Sequence, residues 1–395
     1  MVSRRRQIRV LHVPGNIGGN PRALARMERR LGIVSHSVSL HPSPFAHHAD
    51  EVLFADHPGL LTREYRRLKL IARAARDFDI VHYNFGTTIA DPPYPRDGKR
   101  RNRYPAFVHW PYWFYASRLQ RLELQLMKRM GKVVFVTYQG NDARQGDYCA
   151  RHFDISPYEA GGREFYSPVW DREKRRRIKR FDAVAAQIYA LNPDLCHVLP
   201  KRARFLPYAH IDLEEWRPVT TNNVVPHVVH APSNRAMKGT EYILAAVERL
   251  RREGVPFTFE LVENRTVDEA RLAYEKADLL IDQLLVGWYG GLAVELMALG
   301  KPVMCYIRQQ DLRFVPERMS RQLPIIQATP GNIHDVLKRW LTKPREALQE
   351  RGRKSRAFVE AWHDPAKIVK TIVRDYRQAL AKRSEGLHEP GDETI

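Results

Sequence analysis

The sequence predicts an α/β protein of two doubly wound units, each a parallel sheet covered by helices on both faces, facing one another across a cleft. Three observations carry this expectation. Short apolar runs alternate with stretches of helical periodicity along the chain. The strand–loop–helix order starts twice, at residue 8 and again at residue 227. The length of 395 residues is long for one such unit and comfortable for two of roughly 180–200 residues.

In the first half, residues 8–13 read as a buried strand leading into the loop Pro14-Gly15-Asn16-Ile17-Gly18-Gly19. Asn20 reads as an N-cap and Pro21 as the first helical residue, with Leu24, Met27 and Leu31 at helical spacing and Gly32 as the stop. Residues 80–84 and 133–138 read as strands with a long helix, 113–130, between them. Residues 86–105 carry too many Pro and Arg for a regular element and read as a surface loop. Residues 182–188 and 203–206 read as the last strands of this half, and 215–224 as a linker.

The second half restarts with strand 227–230 and loop 231–239, then a helix 241–252 stopped by Gly254 and Pro256. Strand 257–262, helix 268–276, strand 279–284, the loop 287–291, helix 292–299 and strand 303–307 continue the alternation. The expected domains are 1–214, 225–362, a terminal helix 363–383 that returns to the first, and a disordered polar tail 384–395.

Composition narrows the function. No apolar run reaches the length of a membrane span and the N-terminus lacks a secretory pattern, so the expectation is a cytoplasmic protein. Cys149, Cys196 and Cys305 are far apart, which excludes a disulfide framework and reads as three packed side chains. The net charge of +20 is uneven: residues 1–210 hold 37 Lys and Arg against 19 Asp and Glu, the remainder 28 against 26. One basic half points to an anionic partner. Nucleic acid is not expected, because no recognition signature accompanies the charge. A peripheral contact with anionic membrane is, through the basic side of helix 113–130 and the run 171–180 (DREKRRRIKR). The apolar residues of helix 113–130 are expected to pack on the sheet, and the run 171–180 to form a solvated helix.

Two stretches carry chemistry. In 230–240 (HAPSNRAMKGT), Ser233, Arg235 and Lys238 lie in a loop that opens a helix. Fixed cations, free backbone N–H groups and a helix N-terminus are what a diphosphate needs. In 287–303 (GWYGGLAVELMALGKPV), Gly290 and Gly291 allow close backbone approach, and Glu295 is an acid inside an apolar turn, suited to accept from two sugar hydroxyls.

This pair of segments resembles the retaining GT-B glycosyltransferases of family 4, whose second domain reads Arg…Lys-Gly and later E-x7-E with neighbouring glycines. The resemblance implies two Rossmann-like domains and a nucleotide-diphosphate-sugar as co-substrate with no metal cofactor. By its implication Arg235 and Lys238 grip the diphosphate and Glu295 the ribose, with Ser233, Asn264, Gly287, Tyr289, Gly290, Gly291 and Leu292 completing the donor side. Gly287 departs from the family, standing where its first Glu contacts the donor sugar. In the first half, 78–82 (FDIVH) and 137–142 (TYQGND) resemble the family's acceptor-side segments. Gln139 stands where His is usual, and Gln cannot act as a base near neutral pH. The implied acceptor residues are Asn16, His82, Asn141 and Asp142; Gly18 and Gly19 match glycines near the donor phosphate. Arg235, Lys238 and Gln139 are then the catalytic set, and the acceptor is a carbohydrate, lipid-linked or cell-envelope molecule. A catalytically silent nucleotide-sugar or partner binder is the alternative.

Other readings fall away. The first loop is not G-x-G-x-x-G and lacks the acid expected some twenty residues on, which disfavours a nicotinamide site. Asp77-Phe-Asp79 is formally D-x-D but precedes a buried strand, and His47-His48 has no partner pattern.

Overall fold

The computed structural model describes residues 7–43, 48–90, 106–158 and 166–386. The first sheet contains β1 (Arg9–Val13), β2 (Val34–Ser39), β3 (Glu51–Val52), β4 (Ile80–Asn84), β5 (Val133–Tyr138), β6 (Ala185–Ala190) and β7 (Arg204–Phe205), in the order β3-β2-β1-β4-β5-β6-β7. Its pairings are parallel. Helices α1 (Asn20–Arg30), α2 (Leu60–Asp77), α3 (Ala106–Arg129), α4 (Gly146–His152) and α5 (Pro168–Asp182) connect these strands. The second sheet contains β8 (His227–His230), β9 (Thr258–Leu261), β10 (Leu279–Ile281), β11 (Val303–Cys305) and β12 (Ile326–Gln327), ordered β12-β11-β10-β8-β9 and parallel. With it come α6 (Arg235–Lys238), α7 (Thr240–Arg252), α8 (Val267–Lys276), α9 (Gly291–Ala298), α10 (Glu317–Gln322), α11 (Ile333–Leu341), α12 (Arg345–Trp362) and α13 (Pro365–Gly386).

The central strands are apolar on both faces because helices cover both: every residue of β4 and β5 is buried. Helix α13 returns to the first sheet, where Ile368, Val369, Ile372, Val373 and Tyr376 share a core with Val10, Leu24, Ile80, Val133 and Phe135. Strands 80–84, 133–138 and 227–230 have the expected bounds.

Several expectations change. Asn20 is the first helical residue, not the cap: Gly19 occupies the cap position in a left-handed conformation, and the Asn20 side chain accepts from the N–H of Ala209 instead. Helix α3 begins at Ala106 and carries Pro111 inside it, so one lost hydrogen bond does not break a helix whose Ala116, Glu123, Leu124 and Met127 are buried. Residue 182 ends a helix, and the strand expected from it starts at Ala185. The reason is local: Ser167 caps α5 and Pro168 opens it, and Trp170, Ile178 and Phe181 bury one face. The run 171–180 is not merely solvated, since Asp171, Glu173, Lys174 and Arg177 are buried. Lys174 donates to the Arg144 carbonyl, and burial pulls its ammonium down to about 8. Strand β2 and helix α2 form where no element was expected. Helix α13 runs to Gly386, so the first residues of the expected tail are helical. Residues 387–395, His47 and residues 91–105 of the expected loop lie outside the described residues. Trp216 in the expected linker is buried, and Val219 donates to the Leu299 carbonyl.

Candidate functional site

Ligands of parallel α/β sheets bind beyond the carboxyl ends of the strands. The two carboxyl edges approach one another here. The turn Pro193–His197 after β6 meets the turn Gln309–Phe314 after β11, with His197 Nε2 2.8 Å from Asp311 Oδ1. Arg308, also past β11, donates to the Ile155 carbonyl and lies 3.7 Å from the centre of the Phe153 ring.

On the second sheet, β8 ends at His230 and the chain turns through Asn234, whose side chain accepts from the N–H of Met237 and caps α6. This places Lys238 beside β10. Its ammonium lies 3.0 Å from Asp282 Oδ1, and the other Asp282 oxygen accepts from the Gly290 N–H at 2.7 Å. A Cβ on Gly290 would lie 3.2 Å from the Lys238 Nζ. Glycine there allows the loop backbone to rest against the cation. Helix α9 starts one residue later, and Glu295 lies one turn into it, 3.2 Å from His210 Nε2. His210 also sits 3.4 Å from where a Cβ of Gly291 would be. The fold thus brings together Lys238, Gly290, Gly291 and Glu295; Leu292, half-buried, follows in the same first turn.

Arg235 points elsewhere. Its guanidinium makes two bonds to Glu263, at 2.8 and 2.6 Å, and is half exposed. Asn264, next to Glu263, is exposed in a left-handed conformation, and Ser233 is exposed. The Tyr289 side chain is buried, stacked on Trp288, with its hydroxyl 2.8 Å from His363 Nε2. Gly287 has φ 92°, and a Cβ there would lie 2.5 Å from the Arg308 guanidinium. The space into which a side chain at 287 would extend is therefore occupied by a cation, itself bonded to Asp311.

On the first sheet, Gly18 and Gly19 both adopt left-handed conformations, and Gly18 opens on free space. Past β5, Asp142 accepts from the N–H groups of Gln139 and Gly140 and folds that turn back on itself. Burial pushes its carboxyl up to about 6, against the pull of those N–H groups. The Gln139 side-chain nitrogen is buried and has no hydrogen-bond partner among the described residues. Asn141 accepts from Arg144 and from the Tyr166 hydroxyl. Asn16 is buried, donating to the His48 carbonyl and accepting from the Arg22 N–H. It does the capping work assigned to Asn20.

His82 is corrected as an acceptor contact. It is fully buried under α13, its ring nitrogens 2.6 Å from the Tyr376 hydroxyl and 2.8 Å from Thr137 Oγ1. Burial holds its pKa well below the usual imidazole value. The second strand of the D-x-D reading also resolves: Asp77 pairs with Arg76, and Asp79 accepts from the Arg9 N–H. Among the described residues no group of three His, Cys, Asp or Glu could hold a metal ion.

Three residues of this site escaped the sequence reading. Asp282 had a signal, a lone acid inside the apolar run 279–286. Glu263 and His210 had none, since each meets its partner only through tertiary approach.

No protein-family model and no curated protein matches the chain by sequence. Solved structures do match in shape. Sucrose-phosphate synthase from Thermosynechococcus elongatus superposes with a TM-score of 0.59 at 17% identity, covering 95% of this chain and 100% of that one. A glycosyltransferase from Rickettsia africae gives 0.56 at 12% identity, covering 95% and 99%. The catalytic domain of starch synthase IV from Arabidopsis thaliana, bound to ADP and acarbose, gives 0.55 at 10% identity, covering 95% and 100%. With two parallel sheets and a terminal helix that returns to the first, the chain has a GT-B-like fold.

Proposed function

We propose that the protein transfers a sugar from a nucleotide-diphosphate-sugar to a carbohydrate or lipid-linked acceptor, with retention and without a metal. The supporting observation is the convergence of Lys238, the Gly290–Gly291 backbone and Glu295 at the carboxyl edge of the second sheet. The diphosphate would lie against Lys238 and the N-terminus of α9, and the ribose would bridge its hydroxyls to Glu295. As the anomeric C–O bond breaks, negative charge grows on the leaving phosphate oxygen. Lys238 and the α9 N–H groups would stabilise that charge as it develops. Gln139 cannot take the acceptor hydroxyl's proton, which is left to the departing phosphate oxygen as the new glycosidic bond forms. Arg235 would join only by leaving Glu263.

The competing reading, a silent homologue that binds a nucleotide sugar or partner, draws on Arg308 standing against Gly287. One experiment separates them. Thermal shifts across UDP-, GDP- and ADP-sugars should identify a stabilising donor. Transfer or donor hydrolysis with that donor, persisting in excess EDTA, supports the enzyme; stabilisation without turnover supports the silent binder. Absence of any shift would remove the enzyme reading and leave only a silent homologue that binds a partner. We further propose a cytoplasmic setting; among the described residues no helix is long and apolar enough to cross a membrane.

A further inference from the structure

Helices α2 and α3 lie side by side on the first sheet and leave an apolar face uncovered. Leu61 is 87% exposed, Tyr65 67%, Trp110 50%, Phe114 54% and Leu122 58%; Tyr115 is also exposed. Leu61, Tyr65 and Leu68 follow one another at helical spacing, so α2 shows a stripe and not a scatter. The seam joins the two helices: Glu64 of α2 accepts from the Tyr112 hydroxyl of α3, and Arg67 donates to both. Core packing therefore takes only one side of α3, through Ala116, Glu123, Leu124 and Met127.

The position of this face follows from Glu123. It accepts from the N–H groups of Ile89 and Ala90, just past the carboxyl end of β4, and from the Tyr83 hydroxyl within β4. Trp110 is thirteen residues upstream, or about 20 Å along the helix axis. The aromatic end of α3 thus overhangs the carboxyl edge of the sheet, the same edge that carries Gly18, Gly19 and the Gln139 turn.

Charge selects the occupant. Lys69, Arg118, Arg121, Lys128 and Arg129 are exposed on the two helices, and Arg118 lies over the Phe114 ring at 4.5 Å. The three acids of these helices are engaged: Glu123 is buried, Glu64 is in the seam and Asp77 pairs with Arg76. By contrast, four cations of the basic run of α5 meet acids, Lys174 on Asp171, Arg175 on Asp147, and Arg176 and Arg177 on Glu173. A second copy of the chain seated on this face by a twofold axis would set like charges against one another.

We propose that the α2–α3 face docks peripherally on an anionic lipid bilayer, with Trp110, Phe114 and Leu61 entering the interface and the five cations facing lipid phosphates. Docking stands independently of the donor reading. Combined with it, docking would hold the overhanging edge at the membrane, where an acceptor carrying a lipid tail is presented.

The test is sedimentation of the full chain with vesicles of phosphatidylcholine alone or mixed with phosphatidylglycerol. Binding should require the anionic lipid and weaken with salt. Lys128→Glu with Arg129→Glu should weaken it by more than about fivefold per charge. Trp110→Ser with Phe114→Ser, at exposed positions, should weaken it with the far-ultraviolet dichroism unchanged. Arg176→Glu on α5 should have little effect. No binding to anionic vesicles at low salt overturns the proposal, as does binding that neither double variant alters. If the aromatic variant changes only the oligomeric state in analytical ultracentrifugation, the face is a self-association surface and the proposal fails. Nucleotide-sugar thermal shifts on the same variants should stay at wild-type values, so a failed donor reading and a failed docking surface give different results.

Discussion

The two halves use the same architecture differently at their carboxyl edges. In the second, separate loops converge until Lys238, Asp282 and the Gly290 N–H touch, with Glu295 and His210 beside them. In the first, the polar residues of the resembling segments serve the protein itself: Asn16 ties a loop, Asp142 folds a turn, Asn141 receives Arg144 and Tyr166, and His82 anchors α13. The contrast is that the second edge is organised by backbone approach around one cation, Lys238, which leaves a local trace in the sequence. At the opposite edge Gly18 opens on free space, while the Gln139 side-chain nitrogen is buried.

Asp282 should give the largest effect. It is buried and holds both the Lys238 ammonium and the Gly290 N–H. Asp282→Ala should destabilise the protein by roughly 3–5 kcal/mol in urea unfolding, because the Lys238 ammonium and the Gly290 N–H both lose their shared, fully buried acceptor. Asp282→Asn, which keeps one acceptor, should cost less. Equal stability of Ala and wild type would deny the second half its organising contact.

Lys238→Ala should weaken nucleotide-diphosphate binding by roughly 1.5–3 kcal/mol in calorimetry. Arg235→Ala should cost clearly less than Lys238→Ala, because its exposed pair with Glu263 must be given up for any gain. A larger loss at Arg235 would mean that it swings inward and that the bound site differs from the free one.

Acid should unsettle the second half through two buried neutral histidines. Burial lowers His230 to about 4 and His363 to about 3. The unfolded chain binds these protons below pH 6.5 and the folded chain does not, so stability present above 6.5 is lost as pH falls toward 4 and below. Between pH 7 and 5 each histidine should cost about 2 kcal/mol in urea unfolding. His230→Asn should flatten that slope; a slope unchanged in the variant would place the acid sensitivity elsewhere. Asp142 has the opposite sign: its raised pKa favours the folded state below 3.8, and that contribution disappears as pH rises through about 6. Asp142→Asn should remove it, a smaller effect for a half-buried group.

The smallest effect should come from placing an acid at position 287. Gly287→Glu should not raise transfer, since φ 92° and the Arg308 guanidinium leave the side chain no room. A gain in turnover with the same donor would show that Arg308 can move aside.

The sequence by itself determined the parts whose physics is local. Apolar runs without alternation specified buried parallel strands; Gly290 and Gly291 specified a loop whose backbone can approach a neighbour closely, here Lys238 and His210. Lone acids in apolar surroundings, Glu295 and in hindsight Asp282, marked positions where a charge needs a partner. What only the tertiary structure decided are properties of pairs distant in the chain. Tyr376 takes the inner face of His82 from 294 residues away, Arg308 fills the space beside Gly287, and Glu263 turns Arg235 outward. Spacing cannot reveal such pairs, because their energy depends on which surfaces the packed sheets bring within a few ångströms. The same holds for α2 and α3: helical periodicity shows that each has an apolar face, and only the packed fold shows that part of it remains uncovered.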